Sequence, residues 1–73
     1  MHDQELLKIV GGNIRRFRHE RVLSQEGLAD RSGHHRTYLA GVERGERNAS
    51  LEALARIARA LGVPPMELLR CAK

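Results

Sequence analysis

Residues 23–44 read LSQEGLADRSGHHRTYLAGVER, and this stretch decides the fold of the chain. Ser24 is a good N-cap, because its hydroxyl oxygen can accept a hydrogen bond from a backbone N–H that the first helical turn leaves unpaired. The pattern predicts a helix over residues 25–31, a turn or C-cap at Gly33, and a further helix over about residues 35–44. Two short helices joined by a glycine-containing turn form a helix-turn-helix.

The sequence on both sides of this stretch also has helical spacing. Residues 4–21 are predicted to form the first helix, whose apolar residues recur every three or four positions: Leu6, Leu7, Val10, Ile14 and Phe17. Ser50 can cap a fourth helix that ends at Gly62, and Pro64 and Pro65 begin a short fifth helix. No alternating run of β-branched and aromatic residues supports a strand. We therefore predict an all-α fold, a compact five-helix bundle in a single domain over residues 1–73.

Two glycines, Gly11 and Gly12, interrupt the predicted first helix. Each glycine inside a helix costs about 1 kcal/mol relative to alanine. Residues 1–12 are therefore predicted to be flexible, as a bent or frayed segment, or to dock separately.

The length and charge of the chain limit the functions that it can have. The chain has 73 residues, with 13 Lys and Arg against 9 Asp and Glu, and a formal net charge of +4. So short a chain buries only about 60% of its unfolded surface, and the single Cys71 cannot form an internal disulfide, which favours stabilisation as a dimer. Most of the cations are Arg, whose planar guanidinium suits phosphates and guanine edges, although charge alone fits a solvated surface equally well.

Several classes of function lack support in the sequence. No apolar run approaches the roughly 20 residues that span a membrane, and no secretory signal begins the chain, so we expect a cytoplasmic protein. Nothing resembles a P-loop, a nucleophile elbow or a paired-carboxylate cleft, so neither an enzyme nor a cofactor is expected. The chain is also too small for a deep ligand pocket. No metal is expected, because these residues lack the spacing of a zinc site: His2, His19, His34, His35 and Cys71.

Several separate segments carry a family resemblance over about residues 13–70. They are residues 23–33, the run Val42-Glu43-Arg44-Gly45, residues 50–54 (SLEAL) and residues 57–63 (IARALGV). Together they resemble the phage-repressor and Cro type of helix-turn-helix domain, the XRE-like family. Residues 36–44 (RTYLAGVER) with Arg47-Asn48 look most like the controller proteins of restriction-modification systems. The resemblance implies a lambda-repressor-like domain with the helix-turn-helix at helices 2 and 3, and a homodimeric, sequence-specific transcriptional regulator that binds DNA and controls its own operon.

In a domain of this type, the third helix enters the major groove of DNA by its N-terminal end. The residues predicted to read base edges are His34, His35, Arg36 and Thr37. Arg36 can present two parallel donors to guanine O6 and N7, and its alternative role is a solvated helix charge. Thr37 can offer its hydroxyl to a base or its methyl group to thymine.

A second set of residues is predicted to contact the DNA backbone. Gln25 begins the second helix, where its side chain and free backbone N–H groups can hold a phosphate, or it is an ordinary first-turn residue. Tyr38 can reach the backbone or pack half-buried in the domain. For Arg44, Arg47 and Asn48 the resemblance implies backbone contacts, and Asn48 fits a purely local role in the turn equally well.

Two pairs of charged residues are assigned no contact with DNA. Arg18 and Glu43 resemble an ion pair that, in this family, joins helix 1 to the end of helix 3, so we assign them a structural role. Glu26 and Asp30 lie four residues apart and share one face of helix 2. We hypothesise that they contact RNA polymerase beside a promoter, and the alternative is a solvated face or local pairing with Arg.

The C-terminal part is more apolar than one small core requires. A share of the following residues is therefore predicted to meet a twofold partner, unless they only close the core: Leu61, Val63, Met66, Leu68 and Leu69. Two recognition helices would then read a pseudo-palindromic operator with half-sites about 34 Å apart. The rival hypothesis is an antitoxin that binds a toxin protein and regulates its own operon. The lack of a substantial tail to wrap a toxin disfavours it.

Overall fold

Four α-helices and one 3-10 helix form the part of the chain, residues 3–71, that the computed structural model describes. They are α1 (Asp3–Glu20), α2 (Gln25–Ser32), α3 (Arg36–Glu43), α4 (Leu51–Leu61) and the 3-10 helix (Pro65–Leu69). Residues 3–71 contain no strand, so the all-α prediction is confirmed. None of the helices within this range is long and apolar enough to cross a membrane.

The fifth predicted helix is not an α-helix. Pro65–Leu69 forms a 3-10 helix, in which the N–H of Glu67 donates to the carbonyl oxygen of Pro64 at 3.0 Å. Pro64 and Pro65 have no N–H to donate, and no side chain caps the start of the segment. A run of five residues closes few i→i+4 bonds, so the tighter 3-10 pattern is the one that this short segment can complete. The prediction of five α-helices is therefore corrected to four.

Side-chain caps begin both helices that the serine pattern predicts. Ser24 Oγ accepts from the N–H of Gly27 at 2.9 Å, and Ser50 Oγ accepts from the N–H of Ala53 at 3.0 Å. Gly33 then closes α2 in the left-handed conformation, with φ 75°. These local hydrogen bonds fix where α2 and α4 begin, and therefore where the turn before α3 lies.

α1 runs unbroken through Gly11 and Gly12. The predicted interruption is therefore absent from residues 3–12, while residues 1 and 2 lie outside the described part. Gly11 lies where α1 crosses the end of α3: a Cβ built on it would lie 2.5 Å from the carbonyl oxygens of both Val42 and Glu43. A glycine is needed here because the two helix backbones approach so closely.

The core is formed where α1 packs against α3 and the 3-10 helix, and α2 packs against α3 and α4. Leu61 is 2% exposed and Leu68 is 0% exposed. These two of the five residues predicted to meet a partner copy therefore lie in the core of the domain. Asn13, itself buried on α1, fixes the 3-10 helix by donating from Nδ2 to the carbonyl oxygens of Leu68 (2.9 Å) and Arg70 (2.7 Å). Leu68 is thereby held inward, against α1.

Candidate nucleic-acid interface

The N-terminal turn of α3 is the exposed end of an otherwise well-packed helix. Leu39, Gly41 and Val42 are buried, whereas Arg36 and Thr37 are exposed. Arg36 forms no ion pair with any residue in the described range. The helix therefore presents a free guanidinium and a hydroxyl at the end that enters a major groove in domains of this architecture.

The two histidines before α3 differ in environment. His35 is exposed and is the N-cap of α3, because its Nδ1 accepts from the N–H of Thr37 at 3.1 Å. His34 is half-buried, and its ring lies 5.2 Å from the ring of Tyr38. His34 Nε2 is buried without a hydrogen-bond partner among the described residues. Of the two, His35 is the more exposed, and base reading by either remains a prediction.

Tyr38 of α3 contacts the loop that follows this helix. The half-buried Tyr38 donates from its hydroxyl to the carbonyl oxygen of Asn48 at 3.4 Å, and Arg47 Cζ lies 5.2 Å from the centre of its ring. The stem of Arg47 covers Gly41, since a Cβ there would lie 2.9 Å from Arg47 Cγ and Cδ. Tyr38 therefore packs within the domain while its hydroxyl positions the loop. Arg44 Nε pairs with exposed Glu46 at 2.9 Å.

A buried polar network joins α1 to α2 and α3. Arg18 and Glu43 form a two-bond ion pair, with Nε to Oε2 at 2.7 Å and Nη2 to Oε1 at 3.0 Å. Arg18 Nη1 also donates to the carbonyl oxygen of Leu23 at 2.9 Å. Gln25 Nε2 donates to Glu43 Oε1 at 3.1 Å, which links the start of α2 to the ion pair. Contact of Gln25 with a phosphate remains a prediction. The free backbone N–H groups at the start of α2, where Gln25 lies, can also hold an anion.

Sequence reasoning missed this role of Gln25, as well as the role of Asn13. Both side chains bond to groups that are distant along the chain, at separations of 18 and 55 residues respectively. A polar residue among the apolar positions of α1 was the available signal for Asn13. Nothing in the local pattern distinguishes Gln25 from any other first-turn glutamine.

The acidic pair Glu26 and Asp30 is exposed on α2. Both residues line a depression of about 310 Å³, which they share with His34, His35 and Arg36. The acidic face therefore borders the N-terminal turn of α3 without covering Arg36. Asp30 also lines an open cleft of about 440 Å³ that contains three arginines: Arg31, Arg56 and Arg59.

Metal-binding side chains do not gather within residues 3–71. No group of three or more His, Cys, Asp or Glu residues in that range could hold an ion. His2, considered in the sequence, lies outside the described residues.

An apolar surface lies on the side of the domain formed by α1, the start of α4 and the 3-10 helix. Leu51 is 84% exposed and Met66 is 70% exposed, and Leu6 and Leu69 are exposed to a lesser degree. Leu6, Leu51 and Leu69 line an apolar groove of about 300 Å³, together with Arg47 and Asn48 from the loop. We call this surface, with Met66, the apolar face. The sequence analysis named Met66 and Leu69 as residues of a partner surface, but not Leu6 and Leu51.

Comparison with known proteins agrees with this architecture. The helix-turn-helix family HTH_3 matches residues 14–68. The chain is 45% identical over 65 residues to the control protein C.SmaI of Serratia marcescens. The matched region covers 89% of this chain and 77% of that protein. It is 44% identical over 62 residues to the control protein C.BamHI of Bacillus amyloliquefaciens, covering 84% of this chain and 76% of that protein.

A solved structure shares both the fold and the sequence. The restriction-modification controller protein C.AhdI from Aeromonas hydrophila matches with a TM-score of 0.83 and 47% identity, over 85% of this chain and 94% of that one. The chain therefore belongs to the helix-turn-helix family HTH_3. Within that family it is a transcriptional regulator of the restriction-modification controller type, which confirms the resemblance carried by its sequence.

Proposed function

We propose that the chain binds operator DNA in the cytoplasm as a homodimer and controls transcription of its own operon, with no catalytic step. The observation that carries this proposal is the exposed guanidinium of Arg36 at the N-terminal turn of α3, which forms no ion pair with any described residue. Arg36 reads guanine through O6 and N7, and Thr37 contacts a neighbouring base. The relatives named as control and controller proteins support a regulatory role.

Contacts with the DNA backbone fix the register of the recognition helix. The start of α2 points its free N–H groups at one phosphate, and Arg44, Arg47 and Asn48 approach another from the loop after α3. The bond from Tyr38 to the carbonyl of Asn48 supports this proposal, because it orders the loop before DNA arrives. Tyr38 thus acts on the backbone chiefly by positioning its neighbours.

Replacing Arg36 with alanine is expected to remove selectivity. The ratio of affinities for the upstream DNA and for a scrambled duplex should fall by about fivefold or more, because one two-donor contact to guanine contributes about 1–3 kcal/mol of discrimination. Fluorescence anisotropy with both duplexes at two salt concentrations measures this ratio. The matched control is Arg59→Ala, which removes the same charge from an exposed site on α4 and should leave the ratio unchanged.

One outcome would contradict the proposal directly. Equal and steeply salt-dependent binding of the unmodified protein to both duplexes would show only attraction to phosphates at that site.

The apolar face is the surface that we assign to the homodimer. Side chains three residues apart eclipse one another in a 3-10 helix, so Met66 and Leu69 project side by side. Leu51 and Leu6 extend the same face, with Val63 half-buried before the 3-10 helix. Burial of such side chains against a twofold partner would place two copies of α3 on half-sites about 34 Å apart.

Replacing Met66 with serine is expected to weaken the dimer. Burial of a Met side chain contributes about 1.5–3 kcal/mol, and a twofold interface loses two of them, so the dimer dissociation constant should rise about a hundredfold or more. Sedimentation equilibrium measures this constant. Val22→Ser, which removes a still more exposed apolar side chain (90%) from the turn after α1, should leave it unchanged. Equal effects of the two substitutions would exclude this interface.

The exposed carboxylates Glu26 and Asp30 are proposed to contact RNA polymerase when the operator lies beside a promoter. Glu26→Gln with Asp30→Asn should reduce promoter activation several-fold at equal operator occupancy, because only the contact with polymerase loses its charges. Glu52→Gln, on the exposed face of α4, serves as the control. In vitro transcription with footprinting separates activation from occupancy. Unchanged activation in the double variant would remove this contact from the proposal.

A further inference from the structure

His35 has two distinct nitrogen environments. Its backbone lies at φ −74° and ψ 143°, outside the helix, and its Nδ1 accepts from the N–H of Thr37 at 3.1 Å. An imidazole nitrogen accepts only through a lone pair, and in the neutral ring the proton then resides on the other nitrogen. The cap therefore fixes the tautomer of His35 with its hydrogen on Nε2.

The second nitrogen remains available at the surface. His35 is exposed, and no described residue forms a hydrogen bond to its Nε2. Arg36, the next residue, carries donors only. The first turn of α3 therefore presents a fixed imidazole N–H beside a guanidinium, and neither group can accept a hydrogen bond from a base.

We propose that His35 is a specificity-determining residue whose Nε2–H reads an acceptor on a base edge, next to the base pair that Arg36 reads. This inference rests on the proposed function, since it requires α3 to enter the major groove. The acceptors displayed there are purine N7, guanine O6 and thymine O4, while adenine N6 and cytosine N4 are donors. His35 discriminates against the donors because its only accepting nitrogen is occupied by the cap.

The side chain of His35 thus caps α3 and also presents an N–H donor, whereas a serine at this position could only cap the helix. Serine caps α2 and α4 in this chain, so His35→Ser keeps an N-cap of a type that the fold already uses. The serine side chain has no N–H, and it is too short to extend its hydroxyl into a groove. His35→Ser therefore separates the cap from the donor, and His35→Ala removes both.

The tautomer is tested first in the free protein, by the ¹⁵N chemical shifts of the imidazole at a pH where the ring is neutral. The expected spectrum has a protonated Nε2 and an unprotonated Nδ1 for His35. A ring protonated on Nδ1 would overturn the inference, because the cap and the fixed donor would both be absent. The unfolding midpoint of His35→Ser should stay close to that of the unmodified protein, and that of His35→Ala should be lower.

The base contact is tested with operator duplexes that each lack one atom. Base analogues without N7, O6 or O4 delete acceptors, and analogues without the amino group of adenine or cytosine delete donors. At one position, acceptor deletion should weaken binding of the unmodified protein by about threefold to tenfold, and should not affect His35→Ser. Donor deletion at that position should not affect either protein.

The outcomes separate this inference from the function on which it rests. In one outcome, the unmodified protein prefers the operator, and His35→Ser responds to every analogue in the same way as the unmodified protein. His35 then reads no base, and the inference fails while the proposed function stands. A loss on donor deletion that depends on His35 would also overturn it. If the unmodified protein does not distinguish operator from scrambled DNA, both the function and the inference fail.

Discussion

Replacing Glu43 with alanine is expected to lower the free energy of unfolding by about 3–5 kcal/mol, because it leaves the guanidinium of Arg18 buried without its partner. The Glu43 side chain is only 3% exposed, and it holds both Arg18, at 2.7 and 3.0 Å, and Gln25, at 3.1 Å. A domain of this size has a total stability of only about 5–10 kcal/mol. The substitution therefore removes a large share of that stability.

Thermal and urea unfolding followed by circular dichroism measure the effect. At about 4–8 °C per kcal/mol for a domain of this length, the midpoint should fall by about 12 °C or more. The control is Glu52→Ala, whose side chain is 80% exposed and pairs with Arg56 at 3.5 Å. A surface pair of this kind contributes little, so its midpoint should barely move. Similar midpoints for the two variants would mean that the buried pair contributes no more than the exposed one.

Replacing Gly11 with alanine is expected to destabilise the domain by about 3 kcal/mol, at the upper end of the usual range for overpacking. The added Cβ would lie 2.5 Å from two carbonyl oxygens at the end of α3, those of Val42 and Glu43. Backbone atoms cannot rotate away as a flexible side chain can. α1 and α3 must therefore separate, and this displaces the recognition helix as well as the ion pair between them.

The neighbouring glycine provides a matched control with the opposite sign. A Cβ on Gly12 meets nothing within 4 Å, and Gly12 is exposed on the same helix. Gly12→Ala should therefore raise stability by about 0.5–1 kcal/mol, because alanine restricts the unfolded chain without a clash. Urea unfolding of the two variants gives both values. Stabilisation by Gly11→Ala would show that helix propensity, and not the contact with α3, governs position 11. Destabilisation by Gly12→Ala would contradict the open space around Gly12.

The sequence predicted the elements of the candidate site because its signals there are local. Ser24, Gly33 and Ser50 act on backbone groups within a few residues, so their positions alone place α2, the turn and the start of α4. The exposed position of Arg36 follows from the same local pattern, since apolar residues at helical spacing assign the opposite face of α3 to the core. Its contact with DNA is a proposal for the experiments above.

Other features could not be predicted, because they depend on which distant residues come together. A local pattern treats Gly11 and Gly12 alike, yet only Gly11 lies against α3. Leu68 and Leu69 are adjacent and equally apolar, yet the first is fully buried and the second lines the groove. The difference depends on how the 3-10 helix packs against α1 and α4, where Asn13 binds the Leu68 carbonyl from 55 residues away.

The sequence by itself determined the all-α helix-turn-helix fold, because caps, turns and helical spacing are set by interactions between near neighbours. The regulatory role was implied by the resemblance to a known family and not by those local signals. The tertiary structure alone decided that the last element is a 3-10 helix, that Gln25 serves Glu43, and that Leu6 and Leu51 join the apolar face. Those features depend on free energies of burial and polar pairing. Such free energies exist only once the helices have packed, since each requires partners that the chain order does not place together.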